Sequence, residues 1–209
     1  QARQTYLKGQ GLYGEGSWET HGSNRGSLIK ELNQANHSNG TKNYEWCGMY
    51  VGHSFEKAGI RPEILKSLVF WSGLRLHLFF TKGVDINNRK IGDFVKPHKY
   101  VRLNSGNEAK RKKAMTDFGP RAGDVVLFKS DYSHVGIVDH FDSKTGELMI
   151  LEGNSGNRVR ATTYDSGDKK ITFIGRFNSS DFGTDVDKGL KRSRTPKIEH
   201  DDIKSSNTS

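Results

Sequence analysis

One cysteine, Cys47, stands among eight histidines in the sequence. A thiol beside an imidazole is a minimal set for nucleophilic acyl transfer, because the thiolate attacks while the ring moves the proton. Cys47 lies in Asn43-Tyr44-Glu45-Trp46-Cys47-Gly48-Met49-Tyr50-Val51, where Asn43 can cap and Glu45 suits a first turn, so a helix is predicted to begin just before the Cys. There the macrodipole and the unpaired backbone N–H groups favour thiolate and oxyanion alike. The same helix puts positions 47, 51, 54, 55 and 58 on one stripe, which is also where an inert core cysteine would sit.

The histidines differ in what they can offer that thiol. His21, His37, His98 and His200 fall in polar joints or near the C-terminus, and His53 and His77 fall inside helical patterns. His134 opens a strand in Ser133-His134-Val135-Gly136-Ile137-Val138, directly after the strand of Gly123-Asp124-Val125-Val126-Leu127-Phe128. A strand end can present a ring nitrogen to a helix terminus. His140 has the same parity but lies six residues on, roughly 20 Å away, so only one of the two can act on the thiol. The following strand ends in Leu151-Glu152-Gly153-Asn154, and its spacing of two assigns Glu152 and Asn154 to one sheet face as possible orienters of the imidazole. Taken alone, Glu-Gly-Asn is also an ordinary strand-ending turn.

Helical periodicity covers 23–36, 44–58, 62–80 and 107–118, with Gly-, Asn- and Ser-rich joints between them. After Gly119-Pro120 the texture changes to β-branched runs at 124–129, 134–141, 147–152, 158–164 and 171–178, joined by hairpin-type turns such as Ser143-Lys144-Thr145-Gly146. Helices followed by an antiparallel meander make an α+β fold.

The 209 residues suit one domain, assigned to 1–183, followed by a polar, aromatic-poor stretch at 184–209 read as a disordered tail. A single Cys removes any intrachain disulfide framework, and no Cys/His cluster has metal-ligand spacing, so no cofactor or metal is expected. The apolar stretch 65–80 is interrupted by Lys66, Arg75 and His77, too charged to span a bilayer. The chain opens at Gln1 rather than Met, which fits a processed product and leaves compartment open. Its glycine-rich segment 9–16 lacks the Lys-Ser/Thr of a phosphate loop. Net charge is +9, and residues 82–113 alone hold ten Lys or Arg against three Asp or Glu. Such a segment attracts polyanions in general, although the consecutive Lys110, Arg111, Lys112 and Lys113 also fit the solvated outer turn of a helix. Lacking a recognised DNA or RNA motif and poor in aromatics for stacking, it argues against nucleic acid.

The ordered combination of a helix-start Trp46-Cys47, then Pro120-Arg121-Ala122-Gly123-Asp124-Val125-Val126, then His134-Val135-Gly136-Ile137-Val138, then Glu152-Gly153-Asn154 resembles the CHAP family of cysteine, histidine-dependent amidohydrolases and peptidases. Asn24-Arg25-Gly26 is similar to the opening of some bacterial members, and the family's aromatic position after the Cys falls here at Tyr50. The resemblance, spanning about 19–177, implies a papain-like α+β fold in which Cys47 attacks an amide carbonyl, His134 shuttles the proton, and Glu152 and Asn154 orient the ring. It implies peptidoglycan as substrate, work outside the cytoplasm in secreted or periplasmic form, a lysin, remodelling or toxin role, and in the toxin case an immunity or inhibitor protein as partner. Some phage-derived members carry a calcium loop of alternating Asp before the Cys. Residues 34–44 contain no Asp, so no calcium site is expected. Two other readings stand beside this one: a non-catalytic polyanion or wall-binding module using residues 82–113, and an amidase on a small peptide–polyamine conjugate.

Overall fold

A computed structural model describes residues 30, 32, 46–68, 72–91, 98–129, 131–156 and 158–183. Of the predicted helix at 23–36, Lys30 and Leu32 are helical and Leu32 is buried. The remainder of that range, segment 9–16, residues 34–44 and the tail 184–209 lie outside the described residues.

Three helices follow in succession: α1 at Cys47–Lys57, α2 at Pro62–Ser67 and α3 at Gly73–Lys82. The single helix expected over 62–80 is therefore two. Pro62 opens α2, whose C-cap is Leu68, and Ser72 starts α3 afresh by accepting a hydrogen bond from the Arg75 N–H, until Gly83 ends it in a left-handed conformation. A fourth helix, α4 at Glu108–Phe118, is capped by the Asn107 side chain on the Lys110 N–H and closed by left-handed Gly119.

The sheet is antiparallel, with strands β1 Lys99–Arg102, β2 Val125–Phe128, β3 His134–Asp142, β4 Glu147–Glu152, β5 Arg160–Asp165 and β6 Ile171–Arg176 in the order β1-β6-β2-β3-β4-β5. This departs from a simple meander, because β6 returns to pair between β1 and β2. Its Ile171, Phe173 and Ile174 are fully buried on both faces, which a central position satisfies and an edge would not. Strand β1 went unread in the sequence because its Lys-Tyr-Val-Arg is short and half cationic, features that suit an edge strand.

Alternation along the strands splits the core. Val125, Leu127, Val135, Ile137, Leu151 and Phe173 join the α1–α3 side chains Tyr50, Val51, Leu76, Phe79 and Phe80 in one cluster. Val126, Phe128, Val138, Ile150 and Ile174 join Met115 and Phe118 of α4 in a second cluster. Helical layers thus cover both faces of one sheet. Asp124, in the Gly-Asp segment before β2, takes two 2.7 Å hydrogen bonds from Arg176 and one of 2.8 Å from the Arg121 N–H. It pins the start of β2 to the end of β6.

The basic run in α4 does not lie wholly on an outer turn. Arg111 turns inward, is 3% exposed, and donates to the carbonyls of Leu103, Gly167, Asp168 and Ile171. Lys112 pairs with Glu108 and Asp165, Lys113 with Asp117, Arg89 with Asp85, and Lys99 donates to the Phe118 carbonyl. Of these cations Arg111 alone is buried, so it is the one withdrawn from a polyanion grip, whereas Lys112, Lys113 and Arg89 hold their carboxylates at the surface. Arg111→Met should cost about 2–4 kcal/mol in chemical denaturation, since it strips the donor from four carbonyls, whereas Lys113→Ala should cost less than about 0.5 kcal/mol.

Candidate active site

Cys47 is the first residue of α1 and only 7% exposed. Trp46 occupies the N-cap and makes no side-chain cap hydrogen bond. Asn43, the expected cap, lies outside the described residues. His134 is the first residue of β3, paired with Phe128 of β2, and Glu152 is the last residue of β4, paired with Gly136. The ring of His134 meets the Glu152 carboxylate through Nε2 at 2.7 Å. Because an ionised carboxylate only accepts, Nε2 is the donor, and Nδ1 is the nitrogen left for the thiol. The Cys47 side chain lies near enough to His134 to help raise the pKa of its ring.

These contacts decide the protonation of the ring. Burial opposes its charging, but the hydrogen bonds and charges of Cys47 and Glu152 outweigh burial and raise its pKa from 6.5 to about 9. Burial would likewise raise Glu152, 1% exposed, yet hydrogen bonds from His134, Thr162 and Tyr164 and the charge of His134 bring it below its ordinary value. Tyr164 donates to the second carboxylate oxygen at 3.0 Å. Its own pKa is pushed up by burial and by the Glu152 charge, which keeps it a hydroxyl donor.

Gly153 explains how two layers converge on one point. A Cβ there would stand 2.5 Å from the Tyr50 Cβ and 3.1 Å from the Trp46 ring, so only glycine lets the turn after β4 lie directly on the first turn of α1. Trp46 and Tyr50 are fully buried and form the floor of that contact. Asn154 follows in a left-handed conformation, φ 59°. Strand parity stops at Glu152, the last residue of β4, so the spacing of two does not carry over to Asn154, and the hydrogen bond to the ring is made by Glu152.

The other histidines of the described chain are used elsewhere. His140 is exposed beyond a register shift in β3 and pairs with Met149, toward the far end of the strand. His98 is buried on Asp181 at 2.7 Å, His53 lies 3.6 Å from Glu56, and His77 stacks on Tyr132. Tyr164 and Thr162 were missed in the sequence. They share a sheet face with Glu152 only once the β4–β5 register is known, and local sequence pattern does not encode that register.

A family model for the CHAP domain matches residues 39–154, more than half of the chain, and its span contains Cys47, His134, Glu152 and Asn154. The chain belongs to the CHAP domain family. CHAP domains are generally hydrolases of the peptidoglycan amidase and peptidase type. The helices and six-stranded antiparallel sheet are those of an α+β, papain-like CHAP fold. No curated protein and no solved structure matches the chain. Among the described residues no helix is long and apolar enough to cross a membrane.

The pKa shifts carry opposite signs in stability. The raised value of His134 contributes fully below pH 6.5 and is lost as pH rises through about 9. The lowered value of Glu152 contributes above pH 4.5 and is lost as pH falls through its folded value. The unfolding free energy of wild type over His134→Ala should therefore be greatest between pH 4.5 and 6.5 and shrink toward pH 10. Denaturant titrations across that range check it, and an advantage that grows with pH would contradict the pairing.

Proposed function

We propose that this CHAP domain is a cysteine amidase or endopeptidase that hydrolyses amide bonds of bacterial peptidoglycan. One observation carries the reading: the only cysteine opens a helix and shares a histidine with a buried, hydrogen-bonded carboxylate. Cys47 is the nucleophile and His134 the proton carrier. Glu152 fixes the ring's tautomer through Nε2, with Tyr164 and Thr162 holding the carboxylate in turn.

In the first step the Cys47 sulfur bonds to the amide carbon, and the tetrahedral oxyanion is met by the Cys47 backbone N–H at the helix start. Collapse breaks the C–N bond while the leaving nitrogen takes the Nδ1 proton of His134, giving a thioester and a free amine. Water then attacks the thioester, His134 accepts its proton, and the acid departs as the thiolate returns. Asn154 is the remaining member of the proposed set, placed two residues past the carboxylate in the same turn, where its contribution is separable from that of Glu152 by substitution.

Peptidoglycan puts this work outside the cytoplasm, in a secreted or periplasmic setting. A lysin, a wall-remodelling enzyme, or a toxin held in check by an immunity protein would each use the same chemistry.

Purified peptidoglycan digested with wild type and with Cys47→Ala, followed by mass spectrometry of the soluble products, tests the reading. Fragments should appear with wild type alone, and their masses identify the amide cut. Equal release by both proteins would remove Cys47 from the mechanism. With wild type, kcat/KM should fall as pH rises through about 9, where His134 loses the proton that the leaving amine requires. Glu152→Gln should move that limb to lower pH and cost roughly 10²-fold in rate.

A further inference from the structure

His134 is fixed on one side by its ladder to β2, but it stands two residues outside the last β3–β4 pair, Gly136↔Glu152. Its placement therefore depends on the chain that enters β3. That segment is locally unfavourable: Lys129 and Tyr132 both take left-handed backbone conformations, with φ of 58° and 55°. Two short hydrogen-bonded turns contribute to holding it, Tyr132 N–H to the Lys129 carbonyl at 3.2 Å and Ser133 N–H to Asp131 Oδ1 at 3.1 Å. Lys129 is anchored by its N–H on the Lys170 carbonyl at 2.7 Å and by Thr172 Oγ1 on its own carbonyl at 2.8 Å, whereas Tyr132 is held from α3. The Tyr132 ring stacks on His77 at 4.7 Å and 20°, and His77 in turn stands edge-on to the fully buried Phe173 at 5.2 Å. One turn earlier Gly73 leaves room for the Tyr132 backbone, since a Cβ there would lie 2.6 Å from the Tyr132 Cβ and closer still to its carbonyl oxygen. Burial, then the charges of Arg102 and Lys82, lower the pKa of His77, so a neutral ring faces Tyr132 at neutral pH.

We propose that the His77–Tyr132 stack, seated over Gly73, is a latch that sets the position of the His134 ring between Cys47 and Glu152. His77 is thus a positioning residue that acts from a helix with no reacting group of its own. The inference rests on the proposed hydrolase mechanism for its effect on rate, but not for its effect on the ring. Without the latch Tyr132 relaxes from its left-handed conformation, His134 withdraws from one or both partners, and the interactions that raise its pKa weaken.

The test is NMR titration of the His134 ring, in parallel with kcat and KM on peptidoglycan fragments, for wild type, His77→Ala, His77→Phe and Tyr132→Ala, each below its own melting temperature. Wild type should titrate near 9. His77→Ala and Tyr132→Ala should titrate at least one pH unit lower and lose about tenfold in kcat with KM changed less than about twofold, because the displaced group is the proton carrier rather than a substrate contact. His77→Phe keeps an aromatic partner and should restore both readouts. The latch is overturned if the alanine variants keep the wild-type titration and kcat whatever their melting temperatures, or if His77→Phe falls with His77→Ala. Should His77→Ala fail to fold, Tyr132→Ala, at a half-buried residue between exposed Asp131 and Ser133, carries the same decision. A wild type with no turnover but with the titration shift intact would overturn the hydrolase reading and leave the latch standing, whereas normal turnover with unmoved titrations would do the reverse.

Discussion

The site depends on how closely the turn after β4 can lie on the first turn of α1. A helix start and a strand end belong to different layers of the fold, and side chains of ordinary length would keep their backbones apart. Gly153 removes that spacing, and the buried Trp46 and Tyr50 supply a rigid floor. With the two backbones fixed, Glu152 and Cys47 address the same imidazole without having to search for it. The residue between Glu152 and Asn154 thus matters as much as the two polar residues that flank it.

The polar network then follows from burial. A carboxylate almost removed from water is unfavourable unless each oxygen finds a donor. One oxygen of Glu152 takes the His134 N–H and the other takes the Tyr164 hydroxyl. That satisfaction keeps the carboxylate ionised and so keeps the imidazolium favourable next to the thiol. A surface ion pair of the same geometry would be screened and weak, and one with an unpaired oxygen would protonate. The chemistry proposed for Cys47 therefore draws on β5, a strand that supplies no reacting atom.

Much of this was legible in the sequence, for identifiable reasons. The α1 start, the five consecutive strands β2 to β6 and the placement of Cys47, His134 and Glu152 as neighbours rest on local patterns: turn residues, β-branched runs and chain order. What stayed hidden was non-local. The β1 strand carries two cations in four residues and is recognised only by its partner β6, which crosses back to a place that local pattern does not encode. Arg111 reads like its neighbours Lys110 and Lys112 until the loop at 165–171 is seen to offer carbonyls beneath it. The reach of Tyr164 to Glu152 depends on a strand register, and the stack of His77 on Tyr132 depends on the docking of a helix, neither of which periodicity can supply.

The most direct test of a Cys47 nucleophile is the intermediate itself. Peptidoglycan fragments mixed with the protein, quenched in acid within the first turnovers and weighed intact, should yield a protein species heavier by the acyl half of the cleaved amide. Peptide mapping should place that mass on the segment containing Cys47, and the adduct should be absent from Cys47→Ala. Continued turnover with Cys47 unmodified at every quench time, or an adduct mapped to another residue, would contradict the mechanism.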